Sequence, residues 1–208
     1  MEKERDYIQD ITEIRSMMER SSKFMSLSGW AGIMAGIYAL SGTWIAYRFL
    51  GFNPDKIFYS ITGPGNVSSI LPQVIILALL ILILSLSTAI YLSYKKANKR
   101  NEKIWNATSR RLLTNMAVPL SAGGIFILIL LSKGLTGLMA PCTLLFYGLA
   151  LYNAGKFTYD EVKILGLIQI GFGLMSFYYV EYSLLLWAAG FGIVHIIYGI
   201  YMHFRYER

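Results

Sequence analysis

The chain is short of charge, of cysteine, and of acidic side chains wherever its apolar residues gather. Only 15% of its 208 residues are charged, against about a quarter in an average soluble domain. A single cysteine, Cys142, excludes an intrachain disulfide and the paired-thiol zinc motifs. The two histidines, His195 and His203, lie about 12 Å apart along a helix axis, too far to share one metal ion. No Asp or Glu falls within an apolar run away from its ends, so the buried carboxylate pairs of an intramembrane protease are missing. No cofactor motif stands out, and neither a cofactor nor an enzymatic activity is expected. The start of the chain does not read as a cleaved signal, because it is charged as far as Lys23 and its first apolar run is long enough to be a span.

Long apolar runs fill the remainder. Hydrophobic residues make up 55% of the chain, and stretches of about twenty apolar residues match the hydrocarbon thickness of a bilayer. Six such stretches are expected at about residues 27–50, 70–94, 112–131, 137–153, 162–180 and 184–204. The expected fold is therefore all-α: a polytopic membrane bundle of six transmembrane helices. Pro119 and the Gly123-Gly124 pair are expected to kink the third helix. Asp160 and Glu161 suit the first turn of the fifth.

Positive charge gives the orientation. With the N-terminus inside, sixteen of the nineteen Lys and Arg residues fall in cytoplasmic segments, and only Arg48, Lys56 and Lys133 lie outside. That bias is the positive-inside pattern, and it predicts a multi-pass protein with both termini cytoplasmic; the bacterial inner membrane is what the second resemblance below implies. It also accounts for the net charge of +7 without nucleic acid, which is not an expected partner. Small residues open the odd spans and tyrosines close the even ones, which suggests three successive hairpins.

Residues 1–26 read as a separate unit, a cytoplasmic amphipathic helix preceding a transmembrane domain of residues 27–208. Tyr7, Ile11, Ile14 and Met18 repeat at spacings of four and three, forming an apolar stripe. Acidic residues lie early and basic ones late, complementing the helix dipole. The stripe is a candidate interaction surface, either for the protein's own bundle or for another copy or protein partner. The basic stretch from Lys95 to Arg111, with Ile104 and Trp105, suits contact with lipid headgroups.

Polar residues at membrane depth are the places to look for function. Three qualify: His195 near the middle of the last span, Gln169 one turn inside the fifth, and Asn115 at similar depth on the third. Two resemblances bear on the role. The glycine-rich hairpin of residues 166–202 is similar to repeats of the HdeD-like acid-resistance membrane proteins. The run WAAGFGIVHIIYGI from Trp187 to Ile200, closing on Arg205-Tyr206-Glu207, and the run RSMMERSSKF from Arg15 to Phe24 resemble an uncharacterised family of small bacterial multi-pass membrane proteins. The first implies a stress-response role; the second implies the architecture and no activity. The expected function is a non-enzymatic scaffold, regulatory or stress-response component acting through the arm and basic loop. The alternative is a small-solute transporter or channel with a polar path past His195, Gln169 and Asn115.

Overall fold

A computed structural model describes residues 24–52, 67–99 and 104–207, and only the backbone of residues 67–69. The described residues are helical apart from turns and short connections. Helix α1 spans Gly29–Arg48, α2 Val67–Lys99 and α3 Ala107–Ser132. A 3-10 turn at Thr136–Leu138 leads into α4, Met139–Ala154, and then α5, Asp160–Tyr178. The final rod is composite: a 3-10 turn at Val180–Tyr182, α6 at Ser183–Trp187, a π-helical segment at Ala188–Val194, and α7 at His195–Tyr206.

Five stretches are long and apolar enough to cross a membrane: Ile70–Lys99, Ala107–Ser132, Thr136–Ala154, Asp160–Tyr178 and Val180–Tyr206. The sequence expectation was six. Helix α1 has 20 residues, about 30 Å of axial length, but Gly29, Gly32, Gly36 and Gly42, with two tryptophans and two tyrosines, dilute its hydropathy. Those glycines have a packing purpose. A Cβ on Gly29 would stand 2.5 Å from the Gly199 carbonyl oxygen, and one on Gly36 would stand 2.5 Å from that of Gly192. The backbones of α1 and the final rod touch directly.

The same device joins α4 to α5. A Cβ on Gly148 would lie 2.8 Å from the Gly166 oxygen, a Cβ on Gly166 2.6 Å from the Tyr152 nitrogen, and a Cβ on Gly173 2.8 Å from the Leu145 nitrogen. Small residues of this kind let membrane helices approach and gain dispersion contact where no hydrophobic drive operates. In each pair the glycines recur at seven-residue spacing: 29 and 36 against 192 and 199, and 148 and 155 against 166 and 173. Antiparallel helices with a seven-residue repeat keep one seam in contact along a left-handed crossing.

The final rod is central. It packs on α1 and on α4 and α5, while α2 rests on α1 and α3 rests on α4. The most apolar window of α2 has none of its residues buried, so its large aliphatic side chains face outward on every side but the one against α1. Helix α3 begins at a capping box between Asn106 and Ser109. It ends at Gly134, whose φ of 73° is the left-handed conformation of a C-terminal cap. Pro119 lies inside α3 without ending it. Acidic Asp160 and Glu161 occupy the first turn of α5.

Residues 24–28 carry no regular secondary structure, and the rest of the helix expected over residues 1–26 lies outside the described residues. The backbone at Phe24 bonds to the α4–α5 connection: the Phe24 amide donates to the Phe157 carbonyl at 2.7 Å, and Thr158 Oγ1 donates to the Phe24 carbonyl at 2.7 Å. The stripe residues Tyr7, Ile11, Ile14 and Met18 lie outside the described residues.

Candidate functional site

Two polar clusters organise the bundle. The first lies midway along the final rod. His195 opens α7 and is 4% exposed; Gln169, on α5, is fully buried. His195 Nδ1 lies 2.9 Å from the Gly190 carbonyl oxygen, which can only accept, so in the neutral ring Nδ1 carries the proton. Nε2 is then an acceptor, and the Tyr147 hydroxyl of α4 donates to it at 3.1 Å. Gln169 Nε2 donates to the same Gly190 oxygen at 2.7 Å. Its 3.3 Å approach to Nδ1 is the crowding of two donors on one acceptor.

The backbone explains why that carbonyl is available. Through the π-helical segment the ladder runs in a wider register than in an α-helix. The Gly190 oxygen there receives two side chains, one from α5 and one from its own rod. A Cβ at residue 190 would meet Leu144 Cδ2 at 2.7 Å and Gln169 Oε1 at 2.8 Å, so the tips of those two side chains occupy the space that glycine leaves. Gln169 Oε1 itself accepts no hydrogen bond. Exchanging the amide oxygen and nitrogen would only oppose two carbonyl-type oxygens at 2.7 Å.

Aromatic rings enclose the node. Phe191 lies over the His195 ring with centroids 5.7 Å apart at 15°, and Tyr147 lies at 5.6 Å and 29°. Trp187 extends the stack to Phe191 at 4.9 Å, and its indole donates to Thr143 Oγ1 at 3.0 Å. With both nitrogens engaged and rings against it, His195 ties α4, α5 and the rod together. The structure thus brings His195 and Gln169 into one cluster and leaves Asn115 out. Asn115 sits on α3, and its amide turns back to the Arg111 carbonyl of its own helix at 2.8 Å.

The second cluster gathers the helix ends at the face holding Phe24, Lys96 and Glu207, here the basal end. Glu207 Oε1 accepts from the Gly29 amide at 3.0 Å and from Lys96 Nζ at 3.1 Å, and Oε2 accepts from His203 Nδ1 at 2.8 Å. Lys96 also donates to the Leu27 carbonyl. Ser28 makes no side-chain cap on α1; the Glu207 carboxylate, from the far end of the chain, caps it instead and complements its dipole. Burial by itself would raise this carboxyl, but the hydrogen bonds from His203, Lys96 and the Gly29 amide hold it down at about 2. Beside it the Tyr159 hydroxyl donates to the Met25 carbonyl at 2.7 Å and the Tyr206 hydroxyl to Glu161 at 2.7 Å. Apolar packing of Phe24, Leu112, Leu151, Val162 and Met202 lies behind them.

Sequence reasoning read Lys96 as one more topological charge and gave Glu207 no role. No local signal marked Glu207: Ser28 is itself a favoured N-cap residue, and only the fold shows that its side chain makes no cap on α1. Among the described residues no three His, Cys, Asp or Glu side chains converge to hold a metal ion. Compared with protein-family models, with curated proteins and with solved structures, the chain matches none.

Proposed function

We propose that this chain is a six-span inner-membrane protein, with the basal end and both termini cytoplasmic, that serves as a non-enzymatic scaffold or regulatory component. The carrying observation is the engagement of His195. This buried histidine is spent on helix-to-helix bonding, with Tyr147 on one nitrogen and Gly190 on the other. The basal end supports the same reading. It unites α1, α2, α5 and α7 through Glu207, Lys96, Tyr206 and Glu161, a rigid platform at the level where the basic residues lie. Helix α1, long enough to span, supplies the sixth crossing by packing its glycine face on the rod. The resemblance to HdeD-like proteins adds stress response as the setting for such a component.

Transport past His195 is the other reading. It has one observation in its favour, the unpaired Gln169 Oε1, an acceptor that a passing solute or water would take.

Proteoliposome flux separates the two. The scaffold reading expects no proton or small-solute flux above empty vesicles, from wild type and His195→Ala alike. A flux present in wild type and abolished by His195→Ala overturns it in favour of transport. Topology is tested separately, in a Cys142→Ala background with single cysteines. Labelling of position 133 from outside and of positions 99 and 156 only from inside is expected; the reverse pattern overturns the orientation.

A further inference from the structure

The outward face of α7 carries a second chemical feature that the two clusters do not use. Ile197, Ile200, Tyr201 and Phe204 recur at i, i+3, i+4 and i+7, and they are 61%, 42%, 46% and 55% exposed. With Arg205 they line a shallow, open and predominantly apolar groove along the face of this one helix. The opposite face of the helix is occupied by α1 through Gly199, so the groove faces away from the bundle.

Arg205 stands at the basal end of this track. Its Nε lies 3.4 Å from the Tyr206 hydroxyl and 3.5 Å from Glu161 Oε1. Its guanidinium carbon sits 5.9 Å from the Tyr201 ring centroid and 5.7 Å from that of Tyr206. The two rings fix the guanidinium by cation–π contact. Glu161 is held on the Nε side, where it also accepts the Tyr206 hydroxyl at 2.7 Å. The terminal nitrogens make no hydrogen bond or ion pair among the described residues, and the side chain is 59% exposed. That leaves a planar donor fork of the kind that fits phosphate.

We propose that this groove binds one anionic glycerophospholipid of the basal leaflet, its phosphate on the terminal nitrogens of Arg205 and one acyl chain along Phe204, Tyr201, Ile200 and Ile197. From residue 205 to residue 197 the track runs about 12 Å along the helix, most of the roughly 15 Å hydrocarbon half of a bilayer. Charge complementarity favours the anionic headgroup: Glu161 pairs with Arg205 on the Nε side at 3.5 Å, and the terminal nitrogens present donors alone, to which a zwitterionic headgroup would add its own cation. Lys95, Lys99, Arg110 and Arg111 are also exposed, and they attract anionic lipid without offering an acyl track. The proposal rests on the membrane-spanning reading above.

Carbonate extraction tests that reading separately: retention in the membrane pellet upholds it whatever lipid binds, and release overturns it. The lipid site is tested on the purified chain in detergent by native mass spectrometry and thermal shift, with dioleoylphosphatidylglycerol against dioleoylphosphatidylcholine. Wild type is expected to retain one phosphatidylglycerol and to gain stability from it and not from phosphatidylcholine. Arg205→Gln and Ile200→Asp should each weaken retention at least tenfold, with Arg205→Lys intermediate and circular dichroism unchanged in all three. The combined change Lys95→Gln, Lys99→Gln, Arg110→Gln and Arg111→Gln should leave retention intact. Undiminished binding by Arg205→Gln, loss of binding in the combined variant, or a dimer that Ile200→Asp dissociates would each overturn the proposal. The first two assign the lipid to diffuse attraction, and the third assigns the groove to a second copy.

Discussion

The His195 node and the Glu207 clasp solve the same problem, joining three or more helices through polar groups, with opposite chemistry. The node uses neutral groups: an imidazole, a phenol, a carboxamide and a backbone carbonyl. The clasp uses a carboxylate, an ammonium and a helix amide. Depth accounts for the difference. An ion in the hydrocarbon core carries a desolvation cost that a single partner does not repay, whereas at the boundary, with side chains 12% exposed, charge strengthens each hydrogen bond. The node therefore tolerates one unpaired acceptor, Gln169 Oε1, while every oxygen of Glu207 is engaged.

Substitutions sharpen that contrast, in order of expected effect. His195→Ala should be the most damaging, by about 2–4 kcal/mol in thermal or denaturant unfolding. It removes a ring packed against both Tyr147 and Phe191 and strands the Tyr147 hydroxyl. Individual hydrogen bonds between membrane helices average only about 0.6 kcal/mol, so the lost packing supplies most of that figure. A loss under 1 kcal/mol would mean that the node is not a structural joint. Gly190→Ala should cost about 1–3 kcal/mol by overpacking against Leu144 and Gln169; a neutral result would show that the π-helical turn yields easily.

Glu207→Gln should lower stability at neutral pH by about 1–2 kcal/mol, and it carries a pH signature. The native carboxyl titrates at about 2, below its unfolded range near 4. Its contribution is therefore full above the unfolded value and lost as pH falls from about 4.5 towards 2. A melting temperature measured across that window should fall more steeply in wild type than in Glu207→Gln, and parallel curves would remove Glu207 from the clasp. The smallest effect belongs to Gln169→Met, within about 1 kcal/mol, because loss of the donor to Gly190 is offset by loss of the orphan acceptor. Destabilisation beyond 2 kcal/mol would mean that Oε1 has a partner in the membrane.

Helix positions were legible in the sequence because hydrocarbon thickness imposes a run length that can be read without a partner. The acidic first turn of α5 and the breaks after the third and fifth apolar runs were legible too, because each depends on local sequence alone. Rotation about the helix axis was not legible. Asn115 and Gln169 occupy matched depths, yet one turns to its own helix and the other into the core, which only the packing of α3 and α5 decides. The seven-residue glycine spacing was visible in four places, but its meaning depends on the antiparallel register between the paired helices. Glu207 was hidden among terminal charges because its partners, Gly29 and Lys96, lie 178 and 111 residues away. The π-helical segment left no local mark either, since Gly190 and Gly192 read equally well as ordinary packing glycines.

The wide turn at Ala188–Val194 also sets a phase. In an uninterrupted α-helix each residue advances about 100°, so the directions of Trp187 and Gly199 would be locked to one another. Additional residues per turn between them offset the directions of the two ends of a single crossing. The distal end can point its indole at α4 while the basal end points its glycine at α1. Deleting one residue from the segment would rotate α7 against everything above it, setting the Gly199 seam and the Tyr147 partnership at odds. The rod is two half-helices held at a fixed offset in phase, with His195 at the joint.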